Sequence, residues 1–211
     1  GDAVLLHSPT YIGFTMCIEN NGYKIVHSPL VKDENGIWRM DYEDMDAKIK
    51  ANHIHVAVFC SPHNPCGRVW ERWEIEKAME VYKANDCIVI SDEIWSDIIL
   101  EDHKHIPTQS VSEDARMRTV AVYAPSKTFN LAGLQASTVV FPNAHMKRVF
   151  DHFWQCMDIH RNNAFSLTAM EAAFNHGEEW LEQLLPYLSA NFDFVADYCR
   201  EHIPQIKTCA P

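Results

Sequence analysis

The chain alternates short, apolar, β-branched runs with longer amphipathic segments, and this alternation leaves few folds open to it. Strands fit residues 3–7, 23–27, 54–60, 86–91, 119–123 and 137–141, and helices fit residues 10–21, 41–51, 71–85 and 143–157. Strands that are separated by helices usually pair in parallel, because each connection crosses back over the sheet. The pattern therefore predicts an α/β layer fold with a mostly parallel sheet.

Local signals predict smaller features. The sequence DENG at residues 33–36 is typical of a hairpin turn, and Asp41 is suited to cap the helix that follows it. After residue 162 no strand pattern returns, and two helices are expected to meet at His176 and Gly177. Pro186 should kink or delay the second of these helices, because proline removes a helical hydrogen bond.

No linker divides the chain. We therefore predict one domain over residues 1–211, in which residues 178–211 lead towards a small C-terminal domain outside the sequence. The chain opens on GDAVLLHSP, which is already strand-like and has no secretory leader. We expect it to be a piece of a longer protein.

The charge of the chain favours a small-molecule ligand. Acidic residues outnumber basic ones by 29 to 18, and the net charge is -11. Nucleic acids and anionic membranes would repel such a surface, because no cluster of lysine or arginine offsets the acids. The sequence also contains no apolar run of the length, about 18 residues, that spans a membrane.

Seven cysteines lie at positions 17, 60, 66, 87, 156, 199 and 209, without a CxxC pair or zinc spacing. Several belong to apolar runs. We therefore interpret them as buried, reduced thiols of a cytoplasmic protein.

Polar side chains follow three of the predicted strands. Asn64 comes in SPHNPCGR, Asp92 in SDEIW and Lys127 in APSK. In open α/β sheets, ligands bind beyond the carboxyl ends of the parallel strands. If these three strands lie side by side, an amide, a carboxylate and an ammonium face one crevice.

This combination meets the needs of pyridoxal phosphate. The cofactor requires an amine that holds its aldehyde as a Schiff base, a carboxylate that keeps its pyridine nitrogen protonated, and donors to its ring oxygen. Lys127 would supply the amine and Asp92 the carboxylate, while Asn64 and Trp95 would supply the donors. Each residue alone has an ordinary explanation as a solvated lysine, a helix cap or a turn residue. Their coincidence at successive strand ends is what indicates a site.

Other kinds of site find less support. The pairs His53 with His55 and His103 with His105 lack a third ligand and zinc spacing, so we interpret them as edge or loop residues and predict no metal. Ser61 has no nucleophile-elbow glycines around it, and the seven glycines form neither a phosphate-binding loop nor a dinucleotide fingerprint. These patterns argue against kinase, hydrolase and dehydrogenase functions.

Three motifs, PHNPCGRVW, SDEIWSDI and SKTFNLAGLQ, resemble the large domain of fold-type I pyridoxal-phosphate enzymes, the class I/II aminotransferase superfamily. The resemblance covers essentially the whole chain and implies a three-layer α/β sandwich. Within the superfamily, APSKTFNLAGLQ, NAFSLTAMEAAF and GEEWL resemble the cystathionine β-lyase-like branch of carbon–sulfur lyases.

The resemblance implies a role for each residue of the predicted site. Lys127 corresponds to the catalytic lysine that holds the cofactor, Asp92 to the partner of the pyridine nitrogen, and Asn64 to a donor to the ring oxygen. Tyr11 in SPTYIGF matches an aromatic residue that stacks on the cofactor ring. Ser126 is a candidate ligand of the phosphate.

Some positions depart from the family's pattern. Many aminotransferases carry an arginine where this chain has Gln135 and a serine where it has Ala124, and Gln135 favours the lyase branch. Trp95 stands where the family more often has tyrosine or histidine. The resemblance therefore does not establish that Trp95 donates a hydrogen bond to the ring oxygen.

The resemblance implies that the full-length protein is a cytoplasmic homodimer that converts a sulfur amino acid into a thiol, pyruvate and ammonia. Two alternatives stay open: an aminotransferase, and a catalytically silent regulatory domain of the same fold. The intact set of Asn64, Asp92 and Lys127 argues against the silent domain.

Overall fold

The computed structural model describes residues 2–100, 103–159 and 161–208. The strands are β1 (Ala3–Ser8), β2 (Lys24–Pro29), β3 (Val31–Lys32), β4 (Trp38–Arg39), β5 (Val56–Cys60), β6 (Ile88–Asp92), β7 (Thr119–Tyr123) and β8 (Thr138–Val140). The helices are α1 (Ile12–Asn20), α2 (Tyr42–Asn52), α3 (Arg72–Ala84), α4 (Glu113–Arg118), α5 (Pro125–Thr128), α6 (Ala144–Cys156), α7 (Ser166–His176) and α8 (Glu178–His202). Short 3-10 helices cover Thr108–Ser110 and Ala132–Leu134.

One six-stranded sheet, in the order β2-β1-β5-β6-β7-β8, organises the molecule. Neighbouring strands are parallel except β7 and β8, which run antiparallel. The predicted α/β fold with a mostly parallel sheet is therefore confirmed. The predicted DENG hairpin is present as well: β3 and β4 pair around a turn in which Gly36 takes a φ of 79°, a conformation that favours glycine.

Alternating side chains give the sheet an apolar layer on each face. The main core lies between one face and the helices α2, α3 and α4, and it contains Leu5, Phe59 and Val89. On the opposite face Leu6 packs against Ile18 of α1. Helices thus contact both faces, as a layered α/β architecture requires.

The helix starts follow local chemistry. The side chain of Asp41 accepts a hydrogen bond from Asp44 N–H at 3.0 Å, so the predicted cap of α2 is confirmed. The first helix begins later than predicted, at Ile12, because Tyr11 keeps an extended backbone with φ -66° and ψ 128°. Backbone geometry at a single residue therefore moves this boundary.

The predicted break between the last two helices is confirmed. α7 ends at His176, and Gly177 separates it from α8. A Cβ on Gly177 would lie 2.2 Å from the ring of Phe129, so glycine is required for this contact. The expectation that Pro186 delays the last helix is wrong, since α8 begins at Glu178 and runs through the proline.

The prediction that the cysteines are buried is wrong for two of them. Cys60 and Cys87 are buried free thiols, but Cys17 and Cys156 are exposed free thiols. Cys17 lies on α1, where Ile18 is the buried residue. An apolar neighbour in sequence therefore does not imply burial on an amphipathic helix. Cys66 and Cys199 are partly exposed, and position 209 lies outside the described residues.

Two kinds of feature are absent from the part of the chain that the structure describes. No helix there is long and apolar enough to cross a membrane. No cluster of three or more histidine, cysteine, aspartate or glutamate side chains there could hold a metal ion. His53 instead ends α2 with a φ of 51°.

The end of β1 buries a neutral histidine. His7 is 3% exposed, and its Nε2 lies 3.2 Å from the hydroxyl of Tyr82. Burial, reinforced by the nearby His63, lowers the pKa of His7 from 6.5 to about 3. The folded protein therefore keeps His7 neutral over a pH range in which the unfolded chain protonates it.

We expect this difference to make the protein less stable in acid. Below pH 6.5 and down to about pH 3 the unfolded chain binds a proton that folded His7 does not. The free energy of unfolding should therefore fall by about 1.4 kcal/mol per pH unit from this residue alone. Urea unfolding of wild-type and His7→Gln proteins at about pH 7 and about pH 5 would measure the effect. Both proteins have the same carboxylates, so the effects of those groups cancel when the two changes in unfolding free energy are subtracted. Parallel pH profiles would contradict it.

Candidate functional site

The sheet changes winding direction between β1 and β5. From β1 the chain moves outward to β2, then returns across β1 to β5, beyond which β6 and β7 follow in order. Ligands of open α/β sheets bind beside such a reversal, at the carboxyl ends of the strands. Because β5, β6 and β7 are parallel neighbours, Asn64, Asp92 and Lys127 follow three adjacent strands at one edge. The condition that their strands lie side by side is confirmed.

Asn64 lies in a tight loop after β5. A bridge between His63 and Arg68 closes this loop. The buried guanidinium of Arg68 is anchored to Glu74 on α3, with 2.5 Å between Nη2 and Oε2. The loop is also tied to β6, since Ser61 N–H donates to the main-chain oxygen of Asp92 at 2.9 Å. The side-chain amide of Asn64 forms no hydrogen bond within the described chain.

Asp92 is the last residue of β6. One of its carboxylate oxygens accepts a hydrogen bond from Ile94 N–H at 3.2 Å, and no described donor contacts the other. Burial raises the pKa of Asp92, and the adjacent Glu93 carboxylate adds to this, while the Ile94 amide and the charge of Lys127 oppose it. The site therefore holds a carboxylate that lacks a full set of partners.

Lys127 lies on the single-turn helix α5, directly after β7. Its side chain is exposed and forms no ion pair within the residues that the structure describes. Its Nζ lies 5.6 Å from the ring centroid of Trp95. Its positive charge partly offsets the rise in the pKa of Asp92. The ammonium is therefore close enough to Asp92 to interact with its carboxylate.

Tyr11 and Ser126 are less closely connected to this group. The ring of Tyr11 packs edge-on against Phe14 at 5.5 Å. A Cβ on Gly13 would lie 2.3 Å from the Tyr11 ring, so the ring rests where only glycine allows it. Within the described chain, no ring contact or side-chain hydrogen bond joins Tyr11 or Ser126 to Lys127. Their roles in stacking and in phosphate binding stay predictions.

The chemistry of the strand-end groups fits pyridoxal phosphate. Buried polar groups normally have hydrogen-bond partners in the protein or in ordered water. Here an exposed amine is available to an aldehyde, a half-paired carboxylate is available to a protonated pyridine nitrogen, and an unpaired amide is available to the ring oxygen. These are the three requirements of the cofactor.

A cavity of about 560 Å³ opens beside Asn64 and Trp95. Its other walls are mostly apolar and include Trp38, Ile98 and Phe192. This volume is in the range of small-molecule sites. Asp92 borders a different, apolar cavity of about 730 Å³ on the sheet. Asn64 and Trp95 thus line the same cavity. Lys127 lies over the ring of Trp95 and interacts with the charge of Asp92.

The sequence analysis missed the carboxylate next to Asp92. Glu93 is fully buried, and its oxygens accept four hydrogen bonds at 2.7–3.1 Å, from Ser91 Oγ, His105 Nε2, Tyr123 OH and Thr108 N–H. Burial alone would raise the pKa of Glu93, but these donors outweigh it and hold the pKa below its usual value. The three acids within SDEIWSD were a signal for such a residue, although the sequence does not tell which acid faces the protein interior.

A family comparison matches residues 1–206 to the family described as aminotransferase class I and II. The chain belongs to this family. The match includes every strand of the sheet and all the predicted site residues.

Members of the family resemble the chain along nearly its whole length. Cystathionine β-lyase PatB of Bacillus subtilis is 37% identical over 211 residues, which cover 100% of this chain and 54% of the relative. A PLP-bound protein of Clostridium difficile 630 that is named as an aminotransferase has a TM-score of 0.93 at 45% identity, over 96% of this chain and 52% of that one. The PLP-bound C–S lyase of Staphylococcus hominis has a TM-score of 0.90 at 32% identity, over 96% and 50%. The chain spans about half the length of these relatives.

Proposed function

We propose that the chain is the cofactor-binding large domain of a pyridoxal-phosphate-dependent carbon–sulfur β-lyase, similar to cystathionine β-lyase. The full-length protein would convert a sulfur amino acid into a thiol, pyruvate and ammonia. The arrangement of Asn64, the half-paired Asp92 and the exposed Lys127 at adjacent strand ends carries this proposal. The similarity to proteins named as lyases, at 37% and 32% identity, supports the choice of reaction.

Each strand-end residue has one task in this proposal. Pyridoxal phosphate, when bound, supplies a ring that accepts the electron pair released at the substrate's Cα. Lys127 would be the catalytic residue: its amine would hold the cofactor and, once free, would take the Cα proton as general base. Asp92 would keep the ring nitrogen protonated, and Asn64 would donate to the ring oxygen. Loss of the Cα proton would allow a thiolate to leave from Cβ of the substrate.

Three further side chains would bind the cofactor. The indole of Trp95 lies beside Lys127 and would be a second donor to the ring oxygen. Tyr11 would stack on the ring, and Ser126 would bind the phosphate. Both follow carboxyl ends of strands in the sheet, after β1 and after β7.

Assays of the full-length protein would distinguish the lyase from its alternatives. We expect pyruvate release from cystathionine in the absence of any keto acid. Amino transfer to a keto acid without pyruvate release would favour an aminotransferase, the alternative that the family description supports. Absence of both reactions and of cofactor binding would favour a catalytically silent domain.

We further propose that the full-length protein is a cytoplasmic homodimer in which residues 178–211 lead to a small C-terminal domain. The helices α6 and α8 carry exposed apolar side chains. These support the proposal that another subunit or domain covers this part of the surface in the full-length protein. Phe153 on α6 is 59% exposed, and Phe192 and Phe194 on α8 are 61% and 67% exposed. Large exposed apolar side chains are often covered by another domain or subunit when they form a contiguous surface. Light scattering of the full-length protein would test the assembly, and a monomer would contradict it.

A further inference from the structure

Lys127 lies on a helix that is too short to hold itself in place. α5 comprises the four residues Pro125–Thr128, and it closes with Phe129 N–H donating to Pro125 O at 2.9 Å. A single helical turn is not stable by its own hydrogen bonds. The direction of the Lys127 side chain is therefore set by contacts from other parts of the molecule.

One such contact lies immediately after the lysine. Thr128 is 1% exposed, and its hydroxyl donates to Oδ2 of Asp97 at 2.8 Å. Hydrogen bonds to a carboxylate are stronger than those between neutral groups. Asp97 belongs to the segment that follows Asp92, so this bond connects the lysine helix to the end of β6.

A second contact fixes the strand that leads to the lysine. Tyr123, the last residue of β7, donates through its hydroxyl to the buried carboxylate of Glu93 at 2.8 Å. Glu93 N–H also donates to Val122 O at 2.9 Å. His105 Nε2 contacts the same oxygen of Glu93, Oε2, at 2.7 Å. The chain before Lys127 and the side chain of Thr128 after it are thus both bonded to residues 93–97.

The start of α8 braces the same helix from another side. Trp180 Nε1 donates to Thr128 O at 3.2 Å. The ring of Phe129 lies close against Gly177. By contrast, the ammonium of Lys127 has no ion-pair partner in the described chain and lies over the Trp95 ring, so the contacts around its backbone carry much of its placement.

We propose that Glu93 and Asp97 are positioning residues that hold Lys127 within reach of a cofactor paired with Asp92. The segment 92–97 then has two tasks, because one of its acids faces the cofactor while the other two fix the lysine. This inference rests on the proposed function, in which Lys127 has to meet a bound cofactor.

Substitutions at Thr128 in the full-length protein would test the inference. Thr128→Val removes the hydroxyl and keeps the buried volume, whereas Thr128→Ser keeps the hydroxyl. Ser28→Ala is the matched control, because it deletes another buried hydroxyl bonded to an aspartate, Asp44, at 2.7 Å on the distant strand β2.

We expect Thr128→Val to slow the covalent attachment of pyridoxal phosphate to the apoprotein by about tenfold or more, because small misplacements of a reacting group have large kinetic effects. Thr128→Ser and Ser28→Ala should attach it at the wild-type rate. The growth of visible absorbance after mixing gives the rate, and peptide mass after borohydride reduction identifies Lys127 as the modified residue.

Wild-type kinetics in Thr128→Val would overturn the inference, and so would equal slowing in Ser28→Ala, which would assign the effect to general stability. If the wild-type protein does not attach the cofactor at Lys127, the proposed function fails instead. Hydrogen exchange at the Phe129 amide separates the two failures: faster exchange in Thr128→Val than in Thr128→Ser shows that the Thr128–Asp97 bond holds the lysine helix, and unchanged exchange overturns the positioning role of Asp97.

Discussion

Lys127→Ala should remove both the visible absorbance of the bound cofactor and the turnover of the full-length protein. The amine is proposed to bond to the cofactor's aldehyde and to take the Cα proton, so one substitution deletes two functions. Loss of a positioned general base alone lowers turnover by about 10²–10⁴-fold. Absorbance spectra and the pyruvate-release assay would measure both effects.

The fold should survive this substitution. Lys127 is exposed and forms neither an ion pair nor a side-chain hydrogen bond within the described residues. Lys147→Ala is the matched control, because Lys147 is an exposed lysine on α6 that pairs with Asp151; it should keep the absorbance and the turnover. A Lys127→Ala protein that retains both would show that the lysine is wrongly assigned.

The strand order could be predicted from the sequence in part. Short β-branched runs separated by helical segments identify β5, β6 and β7, and parallel strands joined by crossover helices are usually neighbours. The antiparallel direction of β8 could not be read in this way. Its connection from β7 contains only α5 and the 3-10 helix Ala132–Leu134, and the sequence pattern does not distinguish such a connection from a full crossover.

The site could also be predicted in part. Asn64, Asp92 and Lys127 were identifiable because each lies at or just beyond the carboxyl end of a strand, so the sheet determines which edge they reach. The side-chain directions of Glu93 and Asp97 depend on partners distant in sequence. Glu93 turns inward because the Tyr123 hydroxyl and the His105 ring contact it there, and no local pattern encodes those contacts.

Asp92→Asn should lower the turnover of the full-length protein by about 10²–10³-fold or more, while the protein keeps its fold and its cofactor. Asparagine has nearly the same shape and can still accept the hydrogen bond from Ile94 N–H. It carries no negative charge, however, so it cannot hold the ring nitrogen protonated. The loss corresponds to about 3–4 kcal/mol of electrostatic stabilisation. Near-normal pyruvate release would remove Asp92 from the mechanism.

The same substitution should leave the cofactor-free protein at least as stable as the wild type, which separates a functional charge from a structural one. Burial raises the pKa of Asp92, so the folded state disfavours the ionised carboxylate relative to the unfolded chain. A raised pKa of an acid means that its contribution to stability declines as the pH rises through the ordinary range of aspartate. At neutral pH an uncharged asparagine avoids this penalty.

Urea unfolding of the two apoproteins would measure the difference, with Asp151→Asn on the exposed face of α6 as the control. A marked loss of stability in Asp92→Asn alone would mean that the charge serves the fold, because a group kept for a cofactor should not be needed in its absence.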